Sequence, residues 1–345
     1  MRDITAPNES SAASEGRTNG LSVENVSVTY MTGSSFLSSG TPVRAVRNAS
    51  FTVPKGHTLG IVGESGCGKS SLARALVGLA PVSEGRVSWG GQKISGLDEK
   101  AFRPLRKDIQ MVFQDPYSSL NPKLKVFDVL AEPLRTHMPE LSRAEMAQRV
   151  GEILEIVGLQ KEVMTRYSHE LSGGQAQRIG IGRAVITRPG LLLCDESVSA
   201  LDVSVQATIL NLLKKLQADL DLSMIFISHD LGVIKYIADS VAVLYLGQIV
   251  ESGSVEDVLG APSHPYTQLL LQSSLSPDGR RVTAAIDGAE PVELPSNTAP
   301  PKGCAFRTRC PRAQEKCKAP PELRPMPGSA HRAACHFPIL SQEAT

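Results

Sequence analysis

Three patterns of hydrophobic and polar positions predict the elements of this chain. Residues 21–53 contain short apolar runs broken by Gly, Ser and Pro, which is typical of an antiparallel β-subdomain. The runs HTLGIVG at 57–63, LLLCDE at 191–196 and SMIFISHD at 223–230 have the pattern of buried strands. The last two are apolar throughout before their polar ends, as expected of strands covered on both faces of a parallel sheet.

Helical periodicity marks two further regions. The first directly follows the run at 57–63 and its glycine-rich loop, where the apolar residues of SSLARALVGL fall on one helical face. In residues 142–159 apolar side chains again recur at helical spacing, and Ser142 with Glu145 has the pattern of a capping box. We therefore predict a helical insertion over roughly 115–180.

These patterns predict an α/β fold whose main domain spans residues 21–274. Residues 1–20 are rich in Ser, Ala, Asn, Glu and Gly and poor in large apolar residues, so we expect a disordered tail. From about residue 275 the periodicity fades into sequence rich in Pro, Gly and Arg. Residues 275–345, here called the extension, are predicted to form a small C-terminal unit that contains four cysteines.

Composition and charge exclude several classes of protein. The 345 residues are 41% hydrophobic, which is enough for a substantial core, and the formal net charge is +1. A near-neutral balance gives no indication of nucleic acid binding. The chain has no run of eighteen or more consecutive apolar residues, and its first twenty residues lack the apolar centre of a secretory signal. We therefore expect a cytosolic protein that reaches any membrane through a partner.

The sequence GESGCGKS at 63–70 has the spacing of a phosphate-binding loop and lies between a predicted strand and a predicted helix. Its glycines allow tight turns that aim amide N–H groups at phosphate oxygens, and the following helix adds the positive end of its dipole. We expect Lys69 to reach the β- and γ-phosphates of ATP and Ser70 to offer a hydroxyl to Mg²⁺. The predicted nucleotide contacts here are Gly63, Glu64, Ser65, Gly66, Cys67, Gly68, Lys69, Ser70 and Ser71.

Two further segments carry candidate chemistry for phosphate. Asp195 ends a buried apolar strand, where an unpaired carboxylate is costly, so we expect Mg²⁺ as its partner. The sequence LSGGQ at 171–175, here called the signature segment, predicts a second helix start at which Ser172 caps and two glycines allow close backbone approach. Nucleotide contacts are therefore also predicted for Ser172, Gly173, Gly174 and Gln175.

Four of the six cysteines cluster in the extension, and disulfides are not expected in a cytosolic chain. Cys304, Cys310, Cys317 and Cys335 are separated by five, six and seventeen residues, without the tight pair usual in zinc sites. Four thiolates can instead hold a [4Fe–4S] cluster, whose ligand spacing varies more widely. Eight Lys or Arg against two acids in residues 300–335 suit an anionic cluster. Zinc, metal-free thiols, and binding of nucleic acid or acidic lipid remain alternatives.

Four motifs follow one another along the chain: GESGCGKS, LSGGQ, LLLCDE and SALD. A chain with these motifs in this order resembles the ATP-binding subunit of an ATP-binding cassette (ABC) transporter. The resemblance implies that Glu196 polarises the attacking water and that His229 senses the γ-phosphate. It also implies that Gln114 is the Q-loop residue, which contacts Mg²⁺ and water. Tyr30 is similar to the aromatic residue that stacks on adenine, and Asp202 to the D-loop aspartate that crosses to a second subunit.

In this family two chains enclose two ATP molecules head to tail, so that each signature segment completes the site of the opposing chain. The resemblance therefore implies a second ATPase subunit, commonly a paralogue, and two transmembrane permeases. It implies a P-loop ATPase core with an antiparallel β-subdomain and a helical insertion. The expected location is peripheral, at the cytoplasmic face of the cell membrane.

The segment HPYTQLLL at 264–271 and the sequence CAFRTRCPRAQEKC resemble the C-terminal extension of ATPases from dipeptide and oligopeptide importers. Members of that group are described as carrying an iron–sulfur cluster there, which favours [4Fe–4S] over zinc. The resemblance implies peptide cargo delivered by an extracytoplasmic substrate-binding protein, with nickel or another small solute as alternatives. A soluble ABC ATPase acting on nucleic acid and an exporter ATPase are disfavoured by the single cassette, the lack of sustained heptads and the importer-like end of the chain. We expect no nucleic acid partner.

Overall fold

The computed structural model describes residues 20–32, 41–274 and 300–340 of the 345-residue chain. The predicted disordered tail lies outside these residues except for Gly20, and so does the first part of the extension, 275–299. Within the described ranges the chain forms two sheets with helices around them. The predicted α/β class is confirmed.

Strands and helices alternate through most of the described chain. The strands are β1 Leu21–Thr32, β2 Thr41–Val53, β3 Thr58–Val62, β4 Glu84–Trp89, β5 Gln92–Lys93, β6 Ile109–Val112, β7 Leu191–Asp195, β8 Ser223–Ile227, β9 Ser240–Tyr245, β10 Gln248–Ser254, β11 Arg324–Pro325 and β12 Arg332–Ala333. The α-helices are α1 Lys69–Leu76, α2 Glu99–Phe102, α3 Pro116–Ser119, α4 Val126–His137, α5 Arg143–Ile156, α6 Gly173–Val185, α7 Val203–Leu220, α8 Leu231–Ile237, α9 Val255–Gly260 and α10 Pro265–Ser274. Short 3₁₀ turns are Arg103–Lys107, Lys161–Thr165, Ser168–Glu170 and Glu315–Lys318.

The smaller sheet forms the N-terminal β-subdomain. In the described ranges its strand order is β2-β1-β4-β5, and all neighbouring strands are antiparallel. Leu21, Val23, Val26 and Val28 of β1 are buried, and register shifts between the last three keep them on the core side. The sheet therefore packs one face against the core, as the short apolar runs predict.

The larger sheet brings the functional loops to one edge. Its described order is β11-β12-β10-β9-β3-β8-β7-β6, and the strands from β9 to β6 are parallel. Every residue of β7 and of β8 is buried, as expected of central strands covered on both faces. Because the carboxyl ends of parallel strands meet at the same edge, the loops after β3, β6, β7 and β8 come together there.

Alternate residues of the central strands enter two separate apolar cores, one on each face of the larger sheet. Leu192 and Phe226 belong to the first core, which also contains the helical insertion. Leu193 and Ile225 belong to the second core, which also contains the β-subdomain and α1. The continuous apolar runs of β7 and β8 therefore serve both cores at once.

The helical insertion lies between β6 and β7 and comprises α3 to α6. The predicted capping box at α5 is present: the hydroxyl of Ser142 accepts the N–H of Glu145, and the Glu145 carboxylate accepts the N–H of Ser142. Val150 and Leu154 of α5 are fully buried in the first core. The predicted helix is therefore confirmed, whereas the predicted domain boundaries remain predictions.

The described part of the extension, 300–340, is attached to the larger sheet and the first core. β12 pairs with β10, β11 pairs with β12, and Phe306 is buried in the first core. Glu251 of β10 is fully buried, and its carboxylate accepts the N–H groups of Ser263 and His264. The same carboxylate lies 2.6 Å from Nε2 of His331 in the extension. The pairing of β12 with β10 and the contact of Glu251 with His331 join residues far apart in the chain and have no signature in the local sequence pattern.

Candidate functional site

The loop at residues 63–70, here called the phosphate loop, connects β3 to α1 and depends on its glycines. Gly63 and Gly68 have φ values of 154° and 108°. A Cβ atom at Gly63 would lie 2.2 Å from the carbonyl oxygen of Leu244, and one at Gly68 would lie 2.2 Å from that of Ala45. No described side chain caps α1. The first N–H groups of this helix are therefore available to an anion.

Lys69 opens α1, and only 5% of its side chain is exposed. Its Nζ donates to the carbonyl oxygens of Gly63 at 2.8 Å and Glu64 at 3.1 Å, so the ammonium group folds back over the phosphate loop. Burial raises the pKa of the neighbouring Cys67, which therefore stays a neutral thiol near pH 7. The two hydrogen bonds hold Nζ of Lys69 beside the helix start.

Ser70 and Asp195 form an oxygen-rich pair next to the phosphate loop. Asp195 is 6% exposed, and its Oδ1 accepts a hydrogen bond from the Ser70 hydroxyl at 3.1 Å. Burial raises the pKa of the Asp195 carboxyl, and the hydrogen bond from Ser70 partly opposes that shift. A carboxylate and a hydroxyl are hard oxygen donors of the type that Mg²⁺ prefers, so these two residues fit the predicted ion.

Glu196 lies at the centre of the predicted catalytic residues. Its Oε2 accepts a hydrogen bond from Gln114 Nε2 at 3.0 Å, and its Oε1 lies 3.9 Å from Lys69 Nζ and 3.8 Å from His229 Nδ1. The backbone of Glu196 is left-handed, with a φ of 47°, and its N–H donates to the carbonyl of Ile227 on β8. The structure therefore brings together side chains that follow β3, β6, β7 and β8.

The signature segment begins α6 with a second capping box. The Ser172 hydroxyl accepts the N–H of Gln175 at 3.3 Å, and the Gln175 side chain accepts the N–H of Ser172 at 3.0 Å. Ser172, Gly173, Gly174, Gln175 and Asp202 line an open groove of about 520 Å³, whose lining includes no phosphate-loop residue. The structure thus separates the signature segment from the phosphate loop of the same chain.

Tyr30 is the predicted site residue with the least support from its contacts. It lies on β1 opposite Val43 of β2 and is half-buried against the second core. Its assignment to adenine stacking stays a prediction.

Two side chains at the phosphate loop were missed by sequence reasoning. Arg309 of the extension forms an ion pair with Glu64, and the hydroxyl of Tyr266 accepts the N–H of Glu64 at 2.9 Å. The segments HPYTQLLL and CAFRTRC that contain these residues are informative only as similarities to other chains. A bond between residues 245 positions apart leaves no periodicity to detect.

The four cysteines of the extension lie near one another in the described part of the chain. Each is a free thiol, either buried or half-buried. Burial raises the pKa of Cys304, Cys310 and Cys335, the last to about 11, and neighbouring thiols raise all three further. However, no group of three or more His, Cys, Asp or Glu in the described ranges is arranged to hold a metal ion. The predicted [4Fe–4S] cluster and its zinc alternative therefore find no ready ligand geometry.

Two protein-family models match the chain. The ABC transporter model matches residues 46–199, which include the phosphate loop, the signature segment and Glu196. The model of the oligopeptide/dipeptide transporter C-terminal region matches residues 250–317, which include Arg309.

Curated relatives are similar over most of the chain. The oligopeptide transport ATP-binding protein OppF of Escherichia coli is 48% identical over 279 residues, which are 80% of this chain and 82% of the relative. The oligopeptide transport ATP-binding protein AppF of Bacillus subtilis is 47% identical over 301 residues, 86% of this chain and 90% of the relative. The di/tripeptide transport ATP-binding protein DppF of Pseudomonas aeruginosa is 45% identical over 297 residues, which are 85% of this chain and 90% of the relative. The names of these three relatives describe peptide transport and do not favour nickel as the cargo, an ATPase that acts on nucleic acid, or an exporter ATPase.

Solved structures of ATP-binding cassettes share the fold. A dimeric cassette, MJ0796, in a post-hydrolysis state bound to ADP and phosphate has a TM-score of 0.62 and 28% identity, covering 68% of this chain and 98% of its own. A second similar structure is that of cbiO1 from Clostridium perfringens, which is part of the ABC transporter complex cbiONQ. It has a TM-score of 0.60 and 26% identity, and the match covers 70% of this chain and 90% of cbiO1.

Proposed function

This chain belongs to the oligopeptide and dipeptide transport group of ABC transporter ATP-binding proteins, and we propose that it hydrolyses ATP to power peptide import across the cytoplasmic membrane. It is an ATPase of the ABC type. The proposal rests on two features that occur together in this chain, namely the arrangement of the side chains at the ATP site and the similarity of the C-terminal region. Lys69, Gln114, Glu196 and His229 meet beside the phosphate loop, and the C-terminal region matches that of oligopeptide and dipeptide transporters.

We assign ATP binding to the phosphate loop and the start of α1. The uncapped N–H groups of α1 and the ammonium group of Lys69 stabilise the β- and γ-phosphates. Ser70, Asp195 and Gln114 are the proposed holders of Mg²⁺, which when bound neutralises charge on the phosphates. Tyr30 is the proposed partner of the adenine ring.

We assign hydrolysis to Glu196, which orients and polarises the attacking water. The hydrogen bond from Gln114 supports this role because it fixes the direction of the carboxylate. His229 is the proposed sensor of the γ-phosphate, and its side chain is 60% exposed, so it is accessible to a bound nucleotide. Transfer of phosphate to water depends mainly on positioning and charge stabilisation, which this set of side chains provides.

The working unit is proposed to be a pair of ATPase subunits. The signature segment and Asp202 line a groove without residues of their own phosphate loop, which suits completion of a partner's site. The capping box of α6 takes the N–H groups of Ser172 and Gln175, and those of Gly173 and Gly174 are the ones proposed to face an anion across that interface. Because a similar cassette is dimeric with ADP and phosphate bound, we propose the same arrangement here, with a paralogous chain as the second subunit.

The pair is proposed to act on two membrane permeases, with an extracytoplasmic binding protein delivering the peptide. No described helix is both long and apolar enough to cross a membrane. An open groove next to the Gln114 region is lined by Leu79 and Phe113, whose side chains are 49% and 40% exposed. This partly apolar surface suits a permease contact at the cytoplasmic face of the membrane. We propose no nucleic acid partner.

A [4Fe–4S] cluster on Cys304, Cys310, Cys317 and Cys335 is a further part of the proposal. Its support is that Cys335 lies within electrostatic range of the other three thiols, and that residues 300–335 contain eight Lys or Arg against two acids, which suits an anionic cluster. Anaerobically purified protein should contain about four irons per chain, and the change Cys310→Ser should remove them. Metal analysis that finds zinc without iron, or no metal, contradicts this assignment.

Peptide uptake by the reconstituted transporter tests the main proposal. The chain, its partner ATPase, the permeases and the binding protein are placed in liposomes with ATP on the cytoplasmic side, and uptake of labelled di- and oligopeptides is measured. We expect ATP-dependent uptake that is lost with Glu196→Gln. The exposed Glu256 provides the control change Glu256→Gln, which should leave uptake unaltered. ATP-dependent uptake of nickel but not peptide would reassign the cargo.

A further inference from the structure

We propose that Arg309 of the extension is a positioning residue for ATP binding, because it neutralises and holds Glu64 of the phosphate loop. The inference rests on the ATP site proposed above and adds a residue from outside the cassette motifs. It assigns the extension a direct part in nucleotide affinity.

The contact between Arg309 and Glu64 is a two-point ion pair. Nη1 of Arg309 lies 2.7 Å from Oε2 of Glu64, and Nη2 lies 2.9 Å from Oε1. The side chains are only 15% and 24% exposed, so solvent screens the pair less than an ordinary surface pair. Parallel hydrogen bonds between a guanidinium group and a carboxylate are both strong and directional. The side chain of Glu64 therefore has one defined position.

Two aromatic rings, those of Tyr245 and Phe306, also lie close to the guanidinium group of Arg309. The guanidinium carbon lies 5.9 Å from the ring centre of Tyr245 and 5.8 Å from that of Phe306. Tyr245 and Phe306 are buried and pack edge to face, with ring centres 5.3 Å apart. The guanidinium group thus contacts two aromatic rings as well as the carboxylate, which favours its charged form in this position.

The backbone of Glu64 is held by the same region. Its N–H donates to the hydroxyl of the fully buried Tyr266, and its carbonyl oxygen accepts a hydrogen bond from Lys69 Nζ. A shift of Glu64 would therefore move one of the two carbonyl groups that position the Lys69 ammonium. Arg309, Tyr266 and Glu64 together connect the extension to the cation that is proposed to bind the phosphates.

The negative charge of Glu64 makes its ion pair with Arg309 important for ATP binding. Glu64 places a carboxylate in the loop that is proposed to bind a polyanion, and an uncompensated negative charge there would repel the phosphates. Arg309 compensates that charge from outside the cassette motifs. Its sequence neighbour is Cys310, and Phe306 lies two positions after Cys304. The fold of the cysteine-containing segment therefore determines whether Arg309 reaches Glu64.

Equilibrium ATP binding to the full chain tests the proposal, with a fluorescent ATP analogue as the probe. We expect Arg309→Met to weaken binding about tenfold, because the carboxylate of Glu64 is left uncompensated. Arg309→Lys should recover part of the loss, since it restores the charge but not the two-point geometry. In steady-state hydrolysis the change should raise KM and leave kcat near the wild-type value.

The double variant Arg309→Met with Glu64→Gln separates charge compensation from a merely structural role. Removing both charges should restore ATP affinity to within about threefold of wild type, since no carboxylate is left to repel the phosphates. The exposed Arg324, which pairs with Glu322 within the extension, provides the matched control Arg324→Met, which should not change binding. Thermal unfolding of each variant identifies any loss of binding that follows from unfolding.

Two results would overturn the proposal. One is wild-type affinity in a folded Arg309→Met variant. The other is a double variant that binds no better than Arg309→Met alone although it is equally well folded. Lys69→Ala serves as the reference for loss of the ATP site itself. If wild-type protein and Lys69→Ala bind the analogue equally poorly, the assignment of the ATP site fails rather than the role of Arg309.

Discussion

The phosphate loop and the extension meet at one site, but each is held in shape by different contacts. The phosphate loop takes its form from adjacent residues, namely the buried strand β3, the positive φ of its glycines and the start of α1. The described part of the extension has only two-residue strands and a short 3₁₀ turn. Its position depends on contacts with distant residues, such as the pairing of β12 with β10, the ion pair of Arg309 with Glu64 and the contact of His331 with Glu251.

This difference determines how each region responds to substitution. A change in the phosphate loop alters nucleotide contacts directly, because the backbone that binds phosphate is the backbone that is changed. A change in the extension acts through a partner, and removing one member of a partly buried ion pair leaves a poorly compensated charge. The first kind of change should reduce turnover, and the second should reduce affinity or stability.

The largest expected effect comes from Glu196→Gln. The amide accepts no proton, so turnover should fall by at least about 100-fold while ATP binding persists. Steady-state phosphate release and equilibrium ATP binding measure the two quantities. The exposed change Glu256→Gln is the control. Hydrolysis within a few-fold of wild type would assign water polarisation to another residue and remove Glu196 from the centre of the site.

A smaller effect is expected from Ser172→Arg in the signature segment. The added bulk and charge should prevent closure against a partner's nucleotide, so that hydrolysis falls more than about tenfold while the chain's own phosphate loop still binds ATP. Cross-linking with ATP present, together with hydrolysis rates, measures pairing. If Ser172→Arg loses ATP binding as severely as Lys69→Ala, the two-chain site is wrong.

The smallest expected effect on ATP turnover concerns His264, which precedes α10 and contacts Phe306 of the extension, because its substitution changes stability and not the ATP site. Its Nδ1 accepts the N–H of Tyr266 at 3.0 Å, and burial lowers the pKa of its imidazole from 6.5 to about 4. Because the pKa is lower in the folded state, the unfolded chain binds a proton more readily between these values. The stability from His264 is therefore complete above about pH 6.5 and is lost as the pH falls towards 4.

Unfolding by urea at several pH values measures this contribution. We expect wild-type protein to lose roughly 3 kcal/mol of unfolding free energy between pH 7 and pH 4 relative to His264→Asn. Asparagine is a suitable control because its side-chain oxygen accepts a backbone N–H two residues later but does not titrate. Equal pH dependence in both proteins would show that His264 is not held neutral by burial.

Local sequence patterns predict the strands, helices and loops of the cassette well because the residues that define each of them are close together in the sequence. The glycines of the phosphate loop, the Ser142 capping box and the apolar runs of β7 and β8 each lie within about ten residues of the chain. The hydrogen bond between Gln114 and Glu196 joins residues 82 positions apart, so sequence names both residues but not their contact. The pairs Glu64–Arg309 and Glu251–His331 depend entirely on how the extension folds back, which no periodic pattern encodes.

ATP hydrolysis by the reconstituted complex, measured against increasing peptide-loaded binding protein, tests the central claim most directly. If this chain powers peptide import, the hydrolysis rate should rise with loaded binding protein, saturate, and vanish with Glu196→Gln in this chain. A rate that is independent of peptide-loaded binding protein would contradict the account, because hydrolysis would then be uncoupled from the cargo proposed here.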